Sequence, residues 1–350
     1  MRINRYFLNK RKFLKQQLLG NVFDIVHIAY FCSVKMIPYA LNLKVNPFAK
    51  PIGLQSKSIL LGSCFTEHVF KYLQTYQLNV ELGPNGTVFN PLSLAKPFQM
   101  AIHAERYQLS DIISSQGLYF SKHHHGRYAH AHAETLLDQL QTDQTNFEAS
   151  LEQTQNILVT FGSAYVYEHI SDQCIYANCH KLPATEFKKY LLSIEQIVVA
   201  WETIVLAIKA KYPQIQWVFT VSPVKHLKDG VHENNLSKSI LLLAIQALQN
   251  KQPDLVYFPA YELVNDDLRD YRFYANDGAH PSEQAIEYVL NTFKAAAFDE
   301  QTQNFMALMD KYLQMHQHKR LHAASAASMK LDQNLSELKQ QLEQTYQVRL

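Results

Sequence analysis

Cys64 stands where an apolar run, Ser58-Ile59-Leu60-Leu61-Gly62, gives way to a helical pattern in which Phe65, Val69, Tyr72 and Leu73 share one face. A strand that ends in glycine and turns straight into a helix leaves the first helical N–H groups without partners in the helix. The positive end of the helix dipole points at the same spot. A thiol held there is expected to fall below the ordinary cysteine pKa of about 8.5 and to act as a nucleophile. Ser63, immediately before it, offers a hydroxyl for the same role. The alternative is a structural cysteine packed beneath the helix. Far along the chain, Asp277-Gly278-Ala279-His280-Pro281 precedes another helical pattern. An aspartate three residues before a histidine reaches back to the ring and fixes its tautomer, which is the orienter–base half of a nucleophile–His–acid arrangement. The alternative there is a capped turn with an incidental histidine.

Two further groups carry chemical potential. His123, His124, His125, His130 and His132 are dense enough to suggest a borderline metal, although density does not establish convergence. A polar loop near the mouth of a site is the competing reading, and no metal ligand is assigned. Lys225, His226, Lys228, Arg269 and Arg272 follow strands or adjoin aromatics. They would hold an anionic substrate group or pair with neighbouring carboxylates.

The elements that must position these groups alternate between apolar runs and amphipathic stretches. Asn156–Gly162, Gln216–Val221 and Leu255–Phe258 read as further buried strands. Ser193-Ile194-Glu195-Gln196 reads as a capping box, and Ile194, Ile197, Val198, Trp201, Ile204, Val205 and Ile208 follow at helical spacing. That helix should end near Pro213, and another should span about Ser237 to Gln249. A last core helix should start with Pro281 in its first turn and run to about Phe298. The pattern predicts a doubly wound α/β fold with a parallel sheet between two helical layers. Such folds bind ligands at the carboxyl ends of their strands. Residues 92–150 are polar and His-rich and read as an insertion or cap. Residues 301–350 read as helices outside the sheet that dock on the core or pair two copies into a homo-oligomer.

Composition narrows the function classes. The 350 residues are 47% hydrophobic and 18% charged, with 19 Phe and 20 Tyr, which excludes a chain disordered throughout. Lys and Arg total 33 against 31 Asp and Glu, so no global field draws in nucleic acid. Four scattered cysteines with no CxxC pair support neither a disulfide scaffold nor a thiolate zinc site. They favour a reducing, cytoplasmic setting. Residues 1–35 form a basic, then apolar, extension that is too short and interrupted to span a bilayer. An ordinary helix ahead of a second start at Met36, a membrane-associating segment and an export signal all fit it, although no small-residue cleavage site is evident.

The stretches Leu61-Gly62-Ser63-Cys64-Phe65-Thr66 and Asp277-x-x-His280 resemble the GSCFA family, which is grouped with the SGNH/GDSL-type hydrolases. Asn90-Pro91-Leu92-Ser93, Asn178-Cys179-His180-Lys181-Leu182-Pro183, Thr220-Val221-Ser222-Pro223-Val224-Lys225-His226 and Leu268-Arg269-Asp270-Tyr271-Arg272-Phe273-Tyr274 carry the same resemblance. It implies a flavodoxin-like SGNH domain over 36–300 and an esterase or acyltransferase that forms an acyl intermediate on Cys64, preferred over Ser63. The substrate would be an ester or acyl group on a carbohydrate or other small molecule. His280 would be the base, Asp277 its orienter, and no cofactor is required. The superfamily's oxyanion hole joins the nucleophile's N–H, a glycine N–H and an Asn side chain. Gly86 is the candidate for the second donor. The Asn position falls near Gly162-Ser163-Ala164, which lacks it, so Asn178 is the expected substitute. Losing one such donor costs about 3–4 kcal/mol of transition-state stabilisation. A non-catalytic carbohydrate- or acyl-binding protein, or a metal-dependent enzyme built on the His cluster, are the alternatives.

Overall fold

The structure, a computed structural model, describes residues 41–317 and 326–350, and the readings of residues 1–35 lie outside them. In chain order the elements are β1 (Lys57–Gly62), α1 (Cys64–Thr75), β2 (Val80–Thr87), α2 (Pro91–His103), β3 (Ile112–Ser115), β4 (Leu118–Ser121), β5 (Ala129–His130) and α3 (Ala133–Gln153). There follow β6 (Thr154–Phe161), β7 (Tyr165–His169), β8 (Ile175–Tyr176), β9 (Phe187–Leu191), α4 (Ile194–Lys211), β10 (Gln216–Val221), α5 (Val231–Lys251) and β11 (Val256–Tyr257). The last helices are α6 (Glu283–Ala297), α7 (Glu300–Gln317) and α8 (Ala326–Tyr346).

Five strands form one parallel sheet in the order β11-β10-β6-β1-β2. Their side chains alternate between its faces. On one face Ile59 lies beside Ile157 and Ile157 beside Trp217, while Leu61, Val159 and Phe219 form the next row. On the other, Leu60, Leu158, Val218 and Val256 line up in register. Both faces are covered, which is why these strands read as unbroken apolar runs. The first face packs under α2, α4 and α5, around Phe98, Trp201, Phe161 and Phe219. The second packs under α1, α6, α7 and α8, through Phe65, Val69, Phe293, Phe305 and Leu342. The fold is thus the expected doubly wound α/β arrangement. The C-terminal helices lie outside the sheet but are seated on its core.

Three expectations change. The stretch from 92 to 150 is mostly not an insertion: α2 contributes Leu94, Ala95 and Phe98 to the core, and α3 contributes Phe147 and Leu151. Only the antiparallel β3–β4–β5 sheet and its flanks stand off. A second small sheet, β8–β7–β9, follows β6. Finally, α6 does not begin at Pro281. Ser282 is its N-cap, its Oγ accepting from Ala285 N, and a hydroxyl partner for an orphan N–H outweighs proline's preset φ. No described helix is long and apolar enough to cross a membrane.

Phe219 is fully buried among Phe161, Trp201 and Trp217, whereas Val199 on α4 is 57% exposed. Phe219→Ala should therefore cost about 3–5 kcal/mol in urea unfolding. Val199→Ala should stay within about 0.5 kcal/mol.

Candidate active site

The chain leaves β1 for β2 on one side and returns to β6 on the other, so the connections, though not the strands, part at the carboxyl ends of β1 and β6. Gly62 closes β1 at φ +148, and a Cβ there would lie 2.4 Å from Thr160 O and 2.6 Å from Thr66 Oγ1. Only glycine fits. Ser63 is the N-cap of α1 and Cys64 its first residue. The two candidates differ in access. Ser63 is 1% exposed, and its hydroxyl has no hydrogen-bond partner among the described residues. Its Cβ packs 3.1 Å from the Cβ position of Gly162. Cys64 is a free, partly exposed thiol.

His280 is held from several directions. Asp277 Oδ2 lies 2.6 Å from its Nδ1, while Oδ1 accepts from the N–H groups of Ala279 and His280. These bonds hold the Asp277 carboxyl down at about 2, His280 N–H contributing most. The carboxylate accepts a hydrogen bond from Nδ1–H, leaving Nε2 free to act as a base. Lys225 N donates to Ala279 O, tying this loop to the segment after β10, and Ala275 N donates to His280 O. The Lys225 ammonium sits over the rings of Tyr274 and Tyr271, at 3.9 and 4.5 Å. Two of the quoted motifs, Thr220–His226 and Leu268–Tyr274, therefore form the cradle of the His280 loop.

The thiol lies at the end of β1 and the imidazole in the loop before α6. His280 lies within electrostatic reach of His68, one turn along α1 from Cys64, and of His226. Sγ and Nε2 are not hydrogen-bonded to each other, a gap that in resting sites commonly closes only with substrate in place. The expectation of an acidic thiol is overturned. Burial pushes the Cys64 thiol up, and the N–H groups of Phe65 and Cys64 offset this only in part. Glu67 raises it further, while Lys238 lowers it. Glu67 is itself held by Thr87 Oγ1 and lies 3.8 Å from Arg127.

Of the other predicted residues, Gly86 lines a small cavity with Gly62, Ser63 and Glu67, while the rest serve the scaffold or the surface. Gly86 has φ +71 and packs against His125, Arg127 and Tyr128. Asn178 Oδ1 accepts from His180 N, and its nitrogen faces Gly126, so it is built into the contact between the small sheets. Arg272 is ion-paired to Asp270 at 2.8 Å on the surface, the non-substrate alternative for that residue. Arg269 occupies a left-handed position at the end of the segment Leu263–Leu268. Asn90 caps α2 through Ser93 N, so that motif serves the scaffold.

The histidines do not converge. His123 pairs with Asp111, His124 bonds Ser121 Oγ, and His125 and His130 accept from nearby backbone N–H groups. His132 precedes α3 as its N-cap. Among the described residues no three His, Cys, Asp or Glu side chains are grouped to hold a metal ion. The metal-dependent reading loses its geometric basis.

One group escaped the sequence reading. Lys238, on α5, is 1% exposed, and its Nζ donates to Gly162 O and Ser222 O, both at 2.7 Å. Nothing local in Ser237-Lys238-Ser239 marks a buried cation.

A doubly wound α/β protein with a free thiol at the helix start after its first sheet strand and a carboxylate-oriented imidazole before α6 is the class that fold and site define. The chain belongs to the GSCFA family, which matches residues 57–293. Among solved structures it is similar to a candidate platelet activating factor from Streptococcus pneumonia, at 10% identity and TM-score 0.38 over 83% of this chain and 99% of that one. It is similar to a candidate GDSL-like lipase from Parabacteroides merdae, at 13% and 0.38 over 73% and 99%. It is also similar to an acetyl xylan esterase from Butyrivibrio proteoclasticus, at 10% and 0.35 over 77% and 66%. No curated protein matches it.

Burial brings three imidazoles down, His124 to about 3 and His180 and His226 to about 4. Unfolded, each would take up a proton near pH 6.5. The unfolded chain therefore binds more protons than the native one as pH falls from 6.5 towards 4. Stability is fully present above about 6.5 and declines below it, by up to about 1.4 kcal/mol per pH unit per ring. Urea midpoints measured from pH 7 to 4.5 should show this decline, and His124→Gln should reduce its slope by about one proton.

Proposed function

We propose that this protein hydrolyses an acyl ester through a covalent intermediate on Cys64. The observation that carries the reading is the Asp277–His280 pair, joined at 2.6 Å, together with a free, partly exposed thiol at the first residue of a helix. His280 Nε2 takes the thiol proton, and the sulfur attacks the ester carbonyl carbon. A C–S bond forms as the carbonyl π electrons move to oxygen. When the carbonyl re-forms, the C–O bond to the alcohol breaks and His280 returns the proton to the leaving oxygen. Water then attacks the thioester, giving its proton to His280, and the C–S bond breaks to release the acid. Acceptance by a second alcohol in place of water would make the same steps an acyl transfer. The N–H groups of Cys64 and Phe65, at the start of α1, are the donors best placed for the oxyanion. Tyr271, 66% exposed beside Gly278, offers a flat ring on which a sugar bearing the ester could rest.

A second reading, a binding protein that retains the fold without turnover, is favoured by Ala164, which brings no side-chain donor to the rim, and by the raised thiol. Hydrolysis of p-nitrophenyl acetate separates the two. Cys64→Ala and His280→Ala should each reduce it to background with the fold retained by circular dichroism. Asp277→Asn should lower kcat by about 10²–10⁴-fold. Full activity in Cys64→Ala with loss in Ser63→Ala would move the covalent bond to the hydroxyl, and no turnover by the wild type would favour the binding protein.

A further inference from the structure

A lysine that is 1% exposed is expensive, because the ammonium loses its water and must be repaid by partners. Lys238 has two firm ones, the carbonyls of Gly162 and Ser222, which are the first residues beyond β6 and β10. An ammonium has three protons to donate and a neutral amine two. Among the described residues the third proton has no acceptor, and the nearest ring is that of Tyr261 at 5.8 Å. Gly162 connects the lysine to the nucleophile turn: its carbonyl accepts from Nζ, while its α-carbon packs against Ser63, the residue before Cys64. The other side chains at this strand end do not compete. Ser163 Oγ is bonded to Ser237 and to Tyr165 N, and Ala164 has none to offer.

We propose that Lys238 is the electrostatic partner of Cys64, an amine anchored on two strand ends whose protonated form stabilises negative charge on the sulfur and on the oxyanion formed beside it. This rests on the reading of Cys64 as nucleophile. Lys238 acts through space, so it is a positioning residue. Its own balance fits the role: burial brings the ammonium down, the Cys64 thiolate opposes this, and the balance lies at about 7. Each group therefore favours the charged form of the other. The charges that face the pair are few. Glu67 on α1 opposes thiolate formation, and His226, on the segment after β10, faces Lys238 from the side of the His280 loop. Glu67 is engaged by Thr87 and His226 is neutral above about pH 4, so beside His280 it is the protonated fraction of Lys238 that acts on the sulfur.

Iodoacetamide alkylation of Cys64, followed by peptide mass spectrometry from pH 6 to 10, reads the thiolate directly. Lys238→Gln keeps donors for the two carbonyls and removes the charge. Its alkylation midpoint should rise by about one pH unit, an approximately tenfold slower reaction at pH 7. An unchanged profile in a folded Lys238→Gln protein would overturn the proposal. If that variant does not fold, the reciprocal measurement decides. In 13C-lysine-labelled protein, the Lys238 titration midpoint should fall in Cys64→Ala, and equal midpoints would refute the coupling. Neither readout needs ester turnover. A shifted alkylation profile without hydrolysis would leave the charge pair standing and remove the hydrolase reading. Cys64-dependent hydrolysis with an unshifted profile would do the reverse.

Discussion

Three adjacent parallel strands in fixed register, β1, β6 and β10, decide where every group of the site lies. Gly62, Gly162 and Ser222 come immediately at or after their carboxyl ends. One lysine is bonded to the ends of β6 and β10, and the serine turn that follows β1 packs against Gly162 at the end of β6. The switch point follows from topology, because the chain departs from β1 in one direction and resumes at β6 in the other. Hydrophobic burial on both faces of the sheet holds that register, and a one-residue slip would turn Ile59, Leu61 and Val159 to the wrong layer. The site thus draws its geometry from the core.

At Cys64 two effects of one location oppose each other. The start of α1 offers N–H groups that favour a thiolate, but the same packing that forms the turn removes water from the sulfur, and desolvation wins. A helix terminus is therefore not a sufficient activator here. Charge must come from elsewhere, and the groups present are an imidazole oriented by a carboxylate and a lysine held by strand ends. Asp277 works on His280 from a half-exposed loop, so its effect comes from the three hydrogen bonds that shape that loop more than from a low local dielectric.

The sequence made the central sheet legible where strands are buried on both faces. Ile59 to Leu61, Ile157 to Phe161 and Trp217 to Val221 are continuous apolar runs for that reason. The capping box of α4 was legible because both of its bonds are local, Gln196 N to Ser193 and Ser193 N to Gln196. By contrast β2, Val-Glu-Leu-Gly-Pro-Asn-Gly-Thr, carries Gly and Pro as an edge strand can, and shows no strand pattern. The Asp277–His280 pair could be read from spacing alone, since its partners are three residues apart. Lys238 could not: its carbonyl partners lie 76 and 16 residues away, and burial of a lysine leaves no mark on its neighbours. The role of Asn178 fails for the same reason. Its local bond to His180 and its packing on Gly126 depend on how two small sheets meet.

The most direct test of the account is to mix the protein with p-nitrophenyl acetate, quench it in acid within the first turnover, and locate the acetyl group by tandem mass spectrometry. The account predicts a hydroxylamine-labile acetyl thioester on Cys64. An acetyl ester on Ser63, or steady hydrolysis with Cys64 unmodified and Cys64→Ala fully active, would contradict it.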